Sequence, residues 1–364
     1  MKAFLFFFLF AMHFAALPLA ESQEGASHGS SDPRGAAELT ICSQNLNNYG
    51  TPAATAARLG LTKEEFDKKQ SALVSRFKRA GCDVIAVQEV VAKSQLAGDK
   101  VLQQLASALK EVTHRKFEVK TGSSNDSNLR NGFLVASDRA EIVNALSYSK
   151  VELPKISEKQ KPRFFSRGPL EIQLTVKSRG GTEAKTVTLI NLHFKSQSGG
   201  RGDPTGLEWE THRMEMSEAL RRIIESRHKG ALARGDSILV VLGDRNSNFD
   251  LASSRILEGG LILQHFQGEA PCRLSKRGVP LCQENVNLPQ ILFSVLREDR
   301  QTRYLTGTFH YKGTYSWLDD ILLPAESLRT AWERYDIEGD YNSGVLFTPE
   351  AASDHALVWV KLNW

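Results

Sequence analysis

Val240-Val241-Leu242-Gly243-Asp244-Arg245-Asn246-Ser247-Asn248 is the stretch on which the reading of this chain turns. The β-branched apolar run over 238–242 has the character of a fully buried strand. It stops at Gly243 and gives way to an acid and an amide two residues apart. Side chains alternate along an extended segment, so Asp244 and Asn246 are expected on one face and Arg245 on the other. A carboxylate and a carboxamide presented together at the end of a buried strand can hold a metal-bound water and a phosphate oxygen. Gly, Asp and Asn also make ordinary strand stops and turns, so the stretch gains meaning only from its surroundings.

On either side the same pattern repeats. Residues 186–193 read as a strand ending in His193, and 207–227 as a helix with Met216, Leu220, Ile223 and Ile224 on one side, leading into the Val240 strand. Nearer the start, 38–47 read as a strand whose polar end carries Asn45. A helix follows, with Thr62 and Glu65 as a capping box, Phe66, Leu73, Val74 and Phe77 on one face, and Gly81 as its stop. The buried run 83–87 then ends in Gln88-Glu89. A further helix is expected over 101–112, and strands over 117–120, 132–136, 142–146 and 170–176. Late in the chain, 317–323 and 356–362 are apolar runs beside polar residues. Strands are separated by helices early and by hairpin-like turns later, an α/β pattern.

Each of these polar residues alone reads as a cap, turn or surface group. Asp319 is different, because a carboxylate among Leu318, Ile321, Leu322 and Leu323 needs a partner once buried. His355, in the trio Ser353-Asp354-His355 just before the last strand, is the candidate. An Asp–His pair fixes the imidazole tautomer and raises its basicity, as a general base requires.

With 364 residues, 41% of them hydrophobic, the chain can bury a sizeable core. Its formal charge of +4 suits a polyanionic partner without demanding one. Residues 1–20, with Lys2 ahead of a Phe-rich apolar core and Ala20 at the end, match a signal peptide and are too short for a membrane span. No Cys follows Ala20 to carry a lipid anchor. Residues 21–37 are Ser-, Gly- and charge-rich and read as a flexible leader, leaving 38–364 as one domain. Export makes disulfides admissible: Cys272 and Cys282 are expected to pair across a loop containing Gly278 and Pro280. Cys42 and Cys82 lie in or beside apolar runs and read as small buried residues.

Taken together, six stretches bear a family resemblance. Ile41-Cys42-Ser43-Gln44-Asn45, Val87-Gln88-Glu89, Asn191-Leu192-His193, Gly243-Asp244-Arg245-Asn246, Leu318-Asp319-Asp320-Ile321-Leu322 and Ser353-Asp354-His355 resemble, in order, the motifs of the endonuclease/exonuclease/phosphatase (DNase I-like) superfamily. The form Asn191-Leu192-His193-Phe194-Lys195-Ser196 is similar to its secreted bacterial nucleases. The resemblance implies a four-layer α/β sandwich, two packed mixed sheets flanked by helices, and metal-dependent hydrolysis of a phosphoester. It makes Glu89 the principal metal ligand with Asn45 nearby and Asp354 completing the network. It has Asp319 orient His355, which activates or positions the attacking water. Asp244 aligns that water or helps hold metal, Asn246 binds the phosphate, and His193 stands by the leaving oxygen as general acid or charge stabiliser. Oxygen donors suit Mg²⁺ or Mn²⁺ better than Zn²⁺, with Ca²⁺ a further candidate. Asn47 stands where the apurinic endonucleases carry an Asp. Arg245 and Asp320 also depart from the usual pattern, and alternation turns both away from the site. A one-residue slip would put Asp320 in place of Asp319; the spacing to Ile321-Leu322 favours Asp319.

The same chemistry cleaves nucleic acids, phosphoinositides and sphingomyelin. Two basic stretches point to a nucleic acid: Lys155, Lys159, Lys161, Arg163 and Arg167 with Phe164 and Phe165 among them, and the Gly-rich run 195–202, with Lys195 and Arg201, just after His193. The expectation is a secreted, extracellular or periplasmic, monomeric nuclease acting on DNA, with RNA as a further substrate, and an endonuclease rather than an exonuclease. The alternatives are a phosphatase or sphingomyelinase on the same fold, and a catalytically dead binding module. A lipid-directed enzyme would show an exposed apolar hairpin beside the site, and the sequence offers no obvious one.

Overall fold

Two strands that begin side by side set the frame. In the computed structural model, which describes residues 37–176, 186–197, 206–333 and 339–364, β1 (Glu38–Tyr49) and β2 (Val84–Val91) are parallel neighbours. Parallel strands need a crossover. Here it is made by α1 (Pro52–Leu59) and α2 (Lys63–Ala80). The predicted capping box is present in α2, with Glu65 N–H donating to Thr62 Oγ1 at 3.2 Å and Thr62 N–H to Glu65 Oε2 at 2.8 Å, and Gly81 closes the helix in the left-handed region. The next helix, α3 (Gln95–Thr113), starts six residues earlier than expected, capped by Ser94. Its first turn carries the exposed Leu96 and no buried stripe, so the apolar pattern did not report it. The chain then adds β3 (Phe117–Thr121) and β4 (Leu129–Ala136) to the same sheet.

The second sheet takes β5 (Ala140–Ser147), β6 (Leu170–Val176), β7 (Thr186–His193) and β8 (Ser237–Asp244). Strands β7 and β8 are again parallel neighbours, joined across α4 (Leu207–Arg227) and α5 (Lys229–Ala233). A ribbon of β9 (Cys272–Leu274) and β10 (Pro280–Cys282), then β11 (Phe293–Ser294), precede a second ribbon of β12 (Phe309–Tyr311) and β13 (Thr314–Ser316). The antiparallel strand β14 (Asp319–Leu323) pairs with β8 and β11, and β15 (Ser343–Leu346) and β16 (Leu357–Asn363) return to the first sheet, β16 pairing with β1. Among the described residues, each of these two large sheets has six strands and is mixed.

The period of two along the strands builds the layers. Ile41, Val84, Phe133, Val187, Ile238 and Val240 face into the space between the sheets. Their neighbours face out: Cys42, Ile85 and Val87 pack under Phe66, Phe77, Leu102 and Leu105 of α2 and α3, and Leu239 and Val241 under Met216, Leu220 and Ile224 of α4. This is the expected four-layer α/β sandwich. Among the described residues, no helix is long and apolar enough to cross a membrane.

Both cysteine pairs are disulfides. Cys272 joins Cys282 across the β9–β10 ribbon, as expected. Cys42 and Cys82, read from sequence as separate buried residues, are also joined. The crossover through α1 and α2 returns Cys82 beside β1, where Asp83 N–H donates to Thr40 O at 2.8 Å, and local sequence carries no sign of that return.

Candidate active site

The polar ends meet because of strand direction. The C-terminal ends of the parallel pairs β1/β2 and β7/β8 present Asn45, Glu89, His193 and Asp244 at one edge of the sandwich. The antiparallel strands β14 and β16 start there, so Asp319 lies opposite Asp244 in register and His355 enters just before β16. All six residues fall around a cavity of about 410 Å³, which Glu89, His193, Asp244, Asn246, Asp354 and His355 line directly.

His355 Nδ1 lies 2.8 Å from Asp319 Oδ2, and its Nε2 3.9 Å from Asp244 Oδ2. Asp244 Oδ2 is also 3.5 Å from His193 Nε2 and accepts from Asn45 Nδ2 at 3.0 Å. The shifts follow from this crowding. Burial pushes the Asp244 carboxyl up to about 7, with the His355 ring opposing and Asp319 adding. Burial works against the His355 cation, but Asp319 and Asp244 outweigh it and raise the ring to about 10. Burial, with Arg167 and His355 nearby, holds His193 well below its ordinary value, so it is neutral.

Asn246 reaches Asp244 by a route other than the alternation expected. Strand β8 ends at Asp244, and Asn246 takes a left-handed φ of 51°. That turn folds its N–H back to Asp244 Oδ1 at 2.7 Å, and its Nδ2 donates to Phe194 O and Asp244 Oδ2, both at 3.2 Å. Gly243, one residue before Asp244, lets β7 pass close beside β8: a Cβ there would sit 2.1 Å from Leu192 O. Glu89 likewise has φ of 60°, at an irregularity in the pairing of β2. Such bulges re-aim side chains beside functional sites. The turn brings Glu89 Oε2 to Asn48 N–H at 2.9 Å and Oε1 to Asn45 Nδ2 at 3.4 Å.

The donor set can be tested against a divalent cation. Ligand atoms of Asp244, Asp319 and His355 lie within 4.8 Å of one another. That trio is buried, and Asp319 and His355 are engaged with each other. Glu89, its side chain 19% exposed, opens onto the cavity with Asp354, and both offer carboxylate oxygens. A hard cation fits the Glu89–Asp354 side on donor chemistry. Asn45 turns its amide nitrogen to the carboxylates while its Oδ1 accepts Asn47 N–H at 2.9 Å, so it holds Glu89 and Asp244 in place. Asp319 Oδ1 and His193 Nδ1 are buried without a hydrogen-bond partner among the described residues. Buried orphans of this kind mark sites that await a ligand or water.

The basic residues separate into groups. Arg167 is buried against the cavity, donating to Phe194 O, with Glu89 and Asp244 near enough to oppose the lowering that burial causes. Lys195 sits over the Trp209 ring at 4.3 Å. Arg163 is paired with Glu208 at 3.4 Å and Glu215 at 3.8 Å and does not line the cavity. Arg201 lies outside the described residues. Arg245 and Asp320 do face away from the cavity, and they pair with each other at 3.1 Å, Arg245 also meeting Glu258 at 3.0 Å.

Two features had escaped the sequence reading. Arg76 of α2, fully buried, donates to the carbonyls of Phe347 and His355 and to Gln44 Oε1, so it grips the segment carrying Asp354 and His355 from behind. An exposed hairpin does stand beside the site. Phe309 and Tyr311 of β12 line the cavity, and Phe309 packs on His355 with ring centroids 4.6 Å apart. Alternating aromatics around Lys312-Gly313 were a hairpin signal, but sequence did not show which side they faced.

Proteins of known structure share this architecture. No protein-family model and no curated protein matches the chain. An endonuclease/exonuclease/phosphatase family protein from Bacteroides thetaiotaomicron superposes with a TM-score of 0.51 at 13% identity, over 90% of this chain and 98% of its own. A humanized D. rerio TDP2 carrying 14 mutations gives 0.52 at 14%, over 90% and 99%. D. rerio TDP2 complexed with a single-strand DNA product gives 0.50 at 15%, over 90% and 99%. The chain has the endonuclease/exonuclease/phosphatase fold. The resemblance first carried by six short motifs thus extends to the path of nearly the whole chain.

Proposed function

We propose that this chain is a secreted, divalent-metal-dependent phosphodiesterase that cleaves DNA endonucleolytically, with RNA as a further substrate. The observation that carries the reading is the buried Asp319–His355 pair, 2.8 Å apart, meeting Asp244 at a cavity that Arg167 also lines. A phosphodiester is anionic and repels its nucleophile, so the site must neutralise charge and manage two protons. Arg167 supplies a fixed guanidinium for a phosphoryl oxygen. Asp319 orients the His355 ring, which is raised to about 10 and positions the attacking water, while Asp244, raised to about 7, receives its proton. His193, neutral and 3.5 Å from Asp244, hydrogen-bonds the leaving oxygen. Glu89 and Asp354 would hold Mg²⁺ or Mn²⁺, which stabilises charge on the phosphoryl group. Two disulfides support export. A solved protein of the same fold holds a single-strand DNA product, which agrees with a nucleic-acid substrate. The exposed aromatic hairpin favours a second reading, a lipid phosphodiester.

Purified protein incubated with plasmid, linear DNA, RNA and sphingomyelin tests this. Nicking of plasmid is expected with Mg²⁺ or Mn²⁺, lost in chelator and lost in Glu89→Gln. Full activity in excess chelator overturns the mechanism, and hydrolysis of sphingomyelin alone moves the assignment to lipids.

A further inference from the structure

The ribbon of β12 and β13 does nothing for the core. Tyr311 is 57% exposed and Tyr315 46%. Lys312 and Gly313 both have positive φ, 48° and 80°, the two-residue turn that makes a tight, twisted hairpin. The ribbon is fastened to the catalytic segment: His310 N–H donates to Asp354 O at 3.0 Å and Ala356 N–H to Thr308 O at 2.7 Å. Its two faces differ. His310 and Tyr315 stack at 4.4 Å on one, with Tyr315 edge-on to Phe347. On the other, Phe309 and Tyr311 lie with planes within 12° of each other, 6.3 Å apart, both lining the cavity. The rings therefore step outward from His355 through Phe309 to Tyr311, from the reacting centre toward solvent.

We infer that Tyr311 is a stacking platform for an unpaired nucleobase next to the scissile phosphate, so that the substrate is single-stranded nucleic acid or a strand opened at the cut. This rests on the nuclease function proposed above and names its substrate form. A flat ring on a rigid ribbon gives sequence-tolerant stacking, because every base has a π-face. A base held between paired neighbours cannot reach a ring that stands one step out from His355, beyond Phe309. Lys312 Nζ lies 5.3 Å from the Tyr311 centroid, an exposed cation–π contact weaker than a base stack, and its charge suits the adjoining phosphate.

The test is binding of a labelled single-stranded oligonucleotide by the full chain carrying Glu89→Gln. Adding Tyr311→Ala is expected to weaken binding about 5- to 150-fold, the loss of one base stack, and Tyr311→Phe to restore it. A strand with abasic spacers should be bound equally with and without the Tyr311→Ala substitution. The matched duplex should bind more weakly than the single strand and ignore that substitution. Unchanged oligonucleotide binding in Tyr311→Ala, or equal loss on the abasic strand, overturns the inference. So does loss confined to sphingomyelin vesicles. If the unsubstituted protein cleaves no nucleic acid, the nuclease function fails and takes the inference with it; cleavage with an indifferent Tyr311 sinks the inference alone.

Discussion

His355 is joined to Asp319 from another part of the sequence, and on the proposed function neither works without the other. The carboxylate fixes the tautomer and keeps the ring basic. Removing either should remove most of what the pair contributes, typically about 10²–10⁴-fold in rate. The double substitution Asp319→Ala/His355→Ala should therefore be little worse than His355→Ala alone. Turnover of the four proteins on one oligonucleotide checks this, and multiplicative losses would show the two acting independently. Asp320, one residue on, faces the other way and accepts from Ser294 Oγ at 2.6 Å while pairing with Arg245. Asp320→Asn should cost stability, since breaking a buried pair costs about 3–5 kcal/mol, and should leave the rate of the folded fraction near that of the parent. Urea unfolding measured beside kcat separates the two outcomes.

At the scale of elements, α4 is tied to the second sheet by more than its apolar stripe. Glu171 of β6 is buried, accepts from Tyr148 OH at 2.6 Å, and meets His228 Nε2 at 3.0 Å and Arg227 at 3.4 Å around the end of α4. Burial alone would raise its carboxyl, but His228, Tyr148 and Arg227 outweigh that and hold it below the ordinary range. A depressed folded-state value means stability that is present above the unfolded value and lost as pH falls through the folded one. Unfolding free energy should therefore fall as pH drops below about 4, and fall less steeply in Glu171→Gln. Urea titrations over the acid range measure the difference in slope; parallel curves would remove Glu171 from the acid response.

For the whole molecule, the disulfide Cys42–Cys82 staples β1 to the start of β2 and closes a loop of 40 residues that includes both crossover helices. On the chain-entropy account a loop of that length contributes about 4 kcal/mol, more than the ten-residue loop of Cys272–Cys282. Replacing Cys42 and Cys82 with Ser should lower the unfolding free energy by about that much, and replacing the other pair by less; denaturant unfolding of both variants decides. The sequence by itself determined the long strands and helices and their polar ends, but not α1, the short ribbons or β15, whose apolar patterns are too brief to register. Period-two and period-3.6 patterns are local, and residues such as the Thr62–Glu65 box and the Gly243 stop are legible within a few positions. With the family motif beside it, the spacing to Ile321-Leu322 also weighed Asp319 against Asp320. Only the tertiary structure decided what meets what. The return of Cys82 to β1, the grip of Arg76 on the segment before β16, the left-handed turns that aim Glu89 and Asn246, and the side of the sandwich on which Tyr311 is bared all depend on strand order and direction. Those are settled by burying both faces of two sheets at once, a condition on the whole chain that no short stretch records.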